Sequence, residues 1–169
     1  MNAPKSELDL ARVALAAAHG RFKQDHANRD VAAWYASLGE TLWWIFALDD
    51  HYWNLDKTVY KPMRNSDEDG YVIPGLRLAR NRVGHGLALM LEDPAGHSPF
   101  LAQPPAKLTL DQLIWRRLED LPPVEKDKES EAQEAAYQAH LAGNAARYAL
   151  RHASRFFIQR RSELDSAIR

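Results

Sequence analysis

Between Val31 and Tyr52 the apolar and aromatic residues Val31, Trp34, Tyr35, Leu38, Leu42, Ile45, Phe46 and Tyr52 return mostly every three or four positions. A strand, whose side chains alternate with a period of two, cannot bring them to one side; an α-helix does. Aromatic residues on more than one face make this the central, most buried helix of the fold. The same spacing recurs along the chain. Ser6-Glu7-Leu8-Asp9 is a capping-box pattern with Asp in the reciprocal position. It opens a helix through Leu10, Val13, Ala14, Ala17, Ala18 and Phe22 that ends near His26. Asn28-Arg29-Asp30 caps the central helix. Periodicity then fails from Trp53 to Pro74, where Asn65-Ser66-Asp67-Glu68-Asp69-Gly70 predicts a polar tip and the whole segment a mobile loop.

Pro74-Gly75 opens a third helix with Leu76, Ala79, Val83, Leu87 and Met90 on its apolar side, stopped by Asp93-Pro94-Ala95-Gly96. Thr109-Leu110-Asp111-Gln112 starts a short helix through Leu113, Ile114 and Leu118, which Leu121-Pro122-Pro123 ends, with Trp115 as its anchor on the core. Another helix covers Glu131 to Leu141, with Gly143 as its stop and Asn144 as the next cap. The last carries Ala145, Tyr148, Ala149, Ala153, Phe156 and Phe157. No segment alternates as a strand. The expected architecture is therefore all-α: one single-domain helical bundle over 1–169, about six helices, with a long loop before the third. Its motif-bearing core spans about 5–93 and a C-terminal helical extension about 107–169.

Composition excludes several chemistries. The chain has no cysteine, which removes disulfides, thiolate metal sites and cysteine nucleophiles and fits a reducing cytoplasm. Acidic and polar residues appear by Glu7, too early for a secretory signal, and no apolar run approaches a membrane span. A net charge of -1 means that any anion site must be local rather than a cationic coat. Positive charge does gather between Arg147 and Arg161, where Arg147, Arg151 and Arg155 recur every fourth residue and form one helical stripe. That stripe is either a solvated face or a phosphate-facing track beside the helix that carries the chemistry.

The chemistry itself concentrates in Leu76-Arg77-Leu78-Ala79-Arg80-Asn81-Arg82-Val83-Gly84-His85-Gly86-Leu87. Each glycine costs a helix about 1 kcal/mol relative to alanine, which close approach of another backbone or of a ligand would offset. A guanidinium grips an anionic oxygen through paired donors, and an imidazole moves a proton near neutral pH. Arg80 and His85 are five residues apart, about 140° around a helix, so they close on a groove from two sides or are completed by a second subunit. Asn81 and His85, four apart, share a face. The competing reading makes Arg77, Arg80 and Arg82 surface charges and His85 an ordinary half-buried histidine.

Arg80-Asn81-Arg82-Val83-Gly84-His85 resembles the R-x4-H signature of the HEPN superfamily, helical domains that include many ribonucleases. The same spacing occurs at Arg21–His26 and Arg147–His152, but only the middle pair has Asn after its arginine and glycines flanking its histidine. The resemblance implies metal-independent endoribonuclease chemistry without a cofactor, in which a ribose 2′-hydroxyl attacks the adjacent phosphorus. His85 would be the general base or acid, Arg80 would stabilise the phosphorane, and Asn81 would orient the histidine or the phosphate. Arg77, Arg82, Arg147, Arg151 and Arg155 are the expected RNA-binding residues; Glu40, Asp49 and Asp50 are the expected supports of Arg80. The implied partners are RNA, a second copy of the chain in a homodimer, and an antitoxin protein if the domain is a toxin rather than an antiviral effector. The dimer would bury Trp43 or Trp44 and let Gly84 and Gly86 bring two helices together, while the Trp53–Pro74 loop covers the groove.

Two other readings compete. A non-catalytic helical binding or assembly module needs only the fold. A metal-dependent hydrolase would use Asp49, Asp50 and His51, with Asp56 nearby, although consecutive helical positions point different ways and few can reach one ion. His19 and His26 share one side of the first helix but lack a carboxylate at matching spacing, so no metal is assigned.

Overall fold

The computed structural model describes residues 6–28, 31–86, 90–92, 113–121 and 130–167. Its elements are α1 (Glu7–Asn28), α2 (Val31–Ser66), α3 (Ile73–Gly86), β1 (Leu91–Glu92), β2 (Ile114–Trp115), a 3-10 turn (Leu118–Asp120), α4 (Glu131–His140), α5 (Ala146–Gln159) and α6 (Arg161–Ala167). The fold is all-α apart from that one small sheet. None of the described helices is long and apolar enough to cross a membrane.

α1 and the first part of α2 form an antiparallel hairpin, since Phe22 meets Trp34, Arg21 meets Glu40 and Arg12 meets Tyr52. Ser6 caps α1 by accepting the Asp9 amide at 3.1 Å. The buried stripe of α1 is Leu15, Ala18 and Phe22, with Asp9 and Arg12 on the same side, whereas Leu10 and Val13 face outward. Alanines around the whole helix leave its apolar face ambiguous in sequence, so the expected phase through Leu10 and Val13 is wrong.

The expected loop after Tyr52 is helical as far as Ser66. Asp56 interrupts α2 with a non-helical backbone (φ -154, ψ 92) and then caps its second half. Its carboxylate accepts the amides of Thr58 and Val59 at 2.9 and 3.2 Å and the Thr58 hydroxyl at 2.6 Å. α2 is therefore two helices joined at a kink, and Pro62 is tolerated within the second. The polar tip is also fixed. Asp67 accepts the amides of Asp69 and Gly70, while buried Asp69 holds His152 Nδ1 at 2.6 Å and Arg155 Nε at 3.4 Å on α5. A tip fastened to α5 does not serve as a gate over α3.

Trp34, Leu38, Leu42, Ile45, Leu48, Tyr52 and Tyr60 carry the core along α2, as the periodicity predicts for the first half. Val72, Ile73, Leu76 and Ala79 of the adjoining turn and α3 meet them, with Phe156 and Phe157 of α5. Tyr52 stacks on Tyr60 and on Phe157 with ring centroids 5.5 and 6.3 Å apart. Met90 lies ahead of β1 rather than inside the third helix. Leu113-Ile114-Trp115 belongs to an extended segment, not a helix: Leu113 and Trp115 are buried and Ile114 is half-buried between them. Its strand pairs antiparallel with β1, Leu91 opposite Trp115. The Thr109–Gln112 cap lies outside the described residues. Ser130 caps α4, and Gly143 turns the chain with φ +72, a left-handed conformation that glycine adopts without a Cβ clash. Asn144 does not cap α5; its side chain instead donates to the His140 carbonyl.

α6 is seated by charge as well as by Leu164. Arg12 Nη2 lies 2.6 Å from Asp165 Oδ1, and Tyr52 Oη donates to the same oxygen at 2.7 Å.

Candidate functional site

The helix that bears the arginine–asparagine–histidine motif is locked onto α2 at Asp49. This carboxylate is fully buried and accepts from Tyr60 Oη at 2.8 Å, from Arg64 Nη1 at 2.9 Å and from Arg77. Arg77 also meets exposed Asp50 at 2.7 Å and lays its guanidinium 5.0 Å from the centre of the Phe46 ring. Burial works against the Arg77 charge, but the two aspartates more than offset it and raise its pKa. Burial, followed by the Asp49 charge, pushes the Tyr60 phenol well above its ordinary range, so Tyr60 remains a donor.

Asp49 and Asp50 therefore support Arg77, not Arg80. Glu40 does not support Arg80 either: it pairs with Arg21 at 2.5 Å across the α1–α2 hairpin. The reason is geometric. The α2 residue that faces Arg80 is Trp43, three positions past Glu40, and the acids one to two turns further along face Arg77.

Arg80 sits half-buried with its guanidinium 5.6 Å from the Trp43 ring centre, and its Nη1 donates to Asn81 Oδ1 at 3.3 Å. No carboxylate among the described residues reaches it. Trp43 is 58% exposed, whereas Trp44 packs partly buried against the core. Arg82 is buried, on the side of α3 that faces Tyr137 of α4, which removes it from the exposed face that carries Arg80. Val83, Gly84, His85 and Gly86 form the last turn of α3, and their side chains lie outside the described ones, as does that of His26.

The arginine stripe on α5 divides. Arg147 and Arg151 line a groove of about 680 Å³ with His19, Phe22 and Lys23 of α1, while Arg155 turns to Asp69. None of the groove's lining residues comes from α3, so this is not a track beside the motif helix. His19 in that groove has its pKa lowered to about 4, chiefly by burial and then by the Lys23 charge, and is neutral near pH 7.

No group of three His, Asp or Glu side chains among the described residues is placed to hold a metal ion. Asp49 is spent on Arg64, Arg77 and Tyr60, Asp50 is spent on Arg77, His51 is exposed, and Asp56 caps the second half of α2.

One further cavity was not foreseen. A cleft of about 690 Å³ opens where the second half of α2 faces the start of α3 and α4. Its walls include Trp53, Lys57, Lys61, Arg77, Gln133 and His140, and Asp49 and Arg64 also border it. Lys57 and Lys61 are four residues apart on the second half of α2, a one-sided pair that is visible only once this segment is read as helix, and the kink at Asp56 brings Trp53 to the same cleft. No family model, no curated protein and no solved structure matches this chain.

Proposed function

We propose that the chain is a metal-independent endoribonuclease of HEPN type, acting as a homodimer on RNA in the cytoplasm as a toxin or antiviral effector. The observation that carries this reading is the state of Arg80. Arg77, one turn earlier, is neutralised by two aspartates, while Arg80 rests on an exposed indole with Asn81 as its polar partner. A half-buried guanidinium with no carboxylate among the described residues is suited to an incoming phosphate, which supplies the missing charge.

In this mechanism the 2′-hydroxyl of the substrate attacks the adjacent phosphorus, the 5′-oxygen leaves, and a 2′,3′-cyclic phosphate remains. His85 moves the proton, a contribution of roughly 10²–10⁴-fold. Arg80 stabilises the charge that builds on the phosphorane oxygens, an effect enlarged where water is excluded. Asn81 fixes the Arg80 guanidinium through the bond at 3.3 Å. Arg80 and His85 are five residues apart, about 140° around an α-helix, so a two-fold contact around exposed Trp43 would complete each site with residues of the second copy.

The test is incubation of the purified chain with RNA in EDTA, beside Arg80→Ala and His85→Ala. Cleavage that resists EDTA, leaves 2′,3′-cyclic ends and disappears in both variants supports the reading. Activity that EDTA abolishes and a divalent ion restores overturns it, as does a folded protein with no cleavage of any RNA. The last result leaves the non-catalytic module.

A further inference from the structure

We propose that the cleft between the second half of α2, α3 and α4 is a binding site for a nucleoside phosphate. This does not rest on the ribonuclease reading. The volume of about 690 Å³ lies within the usual range for small-molecule sites and is far larger than a bare phosphate needs. Its charges do not cancel. Lys57, Lys61, Arg64 and Arg77 face Asp49 and Asp50, and the two carboxylates are already held by the two arginines. Lys57 and Lys61 are left, four residues apart on one face, exposed and with no carboxylate within ion-pair distance among the described residues. Lys57 Nζ lies 5.1 Å from the Trp53 ring centre, an aromatic face that holds the ammonium at the cleft wall. Two surplus ammonium groups over a floor of guanidinium groups suit a phosphate monoester dianion.

The opposite wall is suited to the rest of the ligand. Gln133 of α4 borders the cleft and keeps a buried Oε1 without a hydrogen-bond partner among the described residues. An acceptor left in that state carries a cost that a ligand donor removes. Two turns further along α4, His140 also borders the cleft; its pKa is lowered by burial and it is a neutral imidazole with one donor and one acceptor. Tyr71 stands edge-on to that ring at 4.4 Å, and Pro74 and Ala136 add apolar surface. Cations at one wall, and an amide, an imidazole and apolar groups at the other, match a phosphate joined to a hydrogen-bonding heterocycle.

The experiment is calorimetric titration of the full chain with AMP, UMP, adenosine and inorganic phosphate. At least one nucleotide is expected to bind about tenfold or more tightly than both adenosine and phosphate. Lys57→Glu/Lys61→Glu should weaken it at least tenfold, and Gln133→Leu severalfold. Lys23→Glu, in the α1–α5 groove, should leave it unchanged. Melting curves confirm that each variant is folded; the three lysine and glutamine positions lie on the protein surface or cleft wall. Absence of nucleotide binding at millimolar concentration overturns the proposal. So does binding that survives Lys57→Glu/Lys61→Glu, or inorganic phosphate that binds as tightly as the nucleotides. None of these readouts involves RNA cleavage, so each result stands apart from the fate of the ribonuclease reading.

Discussion

The buried carboxylate of Asp49 on α2 and the half-buried guanidinium of Arg77 on α3 form an ion pair that fixes the position of the motif helix, with Tyr60 and Arg64 supplying the other two donors to the carboxylate. The pair lies one helical turn before Arg80, so the attachment of α3 and the presentation of Arg80 are coupled through a rigid element.

Removal of the carboxylate leaves two guanidinium groups with reduced compensation, one of them, Arg64, almost wholly buried. Asp49→Ala should therefore cost about 3–5 kcal/mol of stability in urea denaturation. Asp49→Asn retains the shape and one acceptor, and should cost less. Asp50 is 56% exposed at its side chain, and Asp50→Ala should change stability by about 1 kcal/mol or less. Equal effects at the two positions would show that the buried network is not what anchors α3.

Gly75 sits where α3 crosses α4, and a Cβ built there would lie 2.9 Å from both Cα and N of Tyr137. Two backbones approach at that point, so no side-chain rotation can relieve the contact. Gly75→Ala should destabilise by about 1–3 kcal/mol, more than the helix propensity gained from alanine. A neutral or stabilising result in urea would mean that α4 shifts freely. Gly75 thus serves a close approach of two helices within the chain, distinct from the contact between subunits expected of Gly84 and Gly86.

The turn after α2 depends on α5. His152 donates through Nδ1 to Asp69 and to the Glu68 carbonyl at 3.1 Å. His152→Ala should cost about 1–3 kcal/mol, because Asp69 stays buried with only Arg155 to compensate it. Hydrogen exchange should accelerate at the amides of Gly70 and Tyr71, which bond back to Asp67. Unchanged protection there would show that the turn holds itself closed.

The helical class, the central role of α2 and the Gly143 stop are all legible in the sequence, because period, burial and turn chemistry agree at those points. The second half of α2 is not, since Asn54, Asp56, Lys57, Thr58 and Pro62 read as a break. That break is real but local: Asp56 ends one helix and caps the next in the same place. Losing this helix also hid the Lys57–Lys61 stripe and its cleft. The motif positions Arg80 and Asn81 are readable as neighbours on α3, but their partners are not. Whether an acid meets Arg77 or Arg80 depends on how α2 lies against α3, which pairwise spacing does not encode. The same holds for Arg155, whose partner Asp69 is distant in sequence.

His19 gives the fold an acid-side sensitivity. Its pKa falls from 6.5 in the unfolded chain to about 4 when folded, so the unfolded state binds more protons between those values. The stability that neutral His19 contributes is fully present above pH 6.5 and declines as the pH drops from 6.5 toward about 4. His19→Gln should flatten the pH dependence of the urea midpoint across that window. A nuclear magnetic resonance titration of the wild-type imidazole should find its midpoint near 4. A midpoint near 6.5 would remove both expectations.

At Trp43 the demands of the fold and of the proposed reaction can be told apart. Its indole is 58% exposed, so truncation opens no core cavity, and its contact with the Arg80 guanidinium is worth about 0.5–1 kcal/mol at such a site. Trp43→Ala should thus change stability by about 1 kcal/mol or less. The proposed reaction makes a larger demand, because Arg80 must remain aimed at a phosphate whose charge builds only in the transition state. With Trp43→Ala the loss should fall on kcat more than on KM, and Trp43→Phe, which keeps a ring under the guanidinium, should recover most of it. The same exposed indole is the proposed two-fold contact, so sedimentation should show dimer weakening in Trp43→Ala and in Trp43→Asp. Wild-type kcat and wild-type mass in a folded Trp43→Ala would leave Arg80 without need of its aromatic support and would place any dimer contact elsewhere.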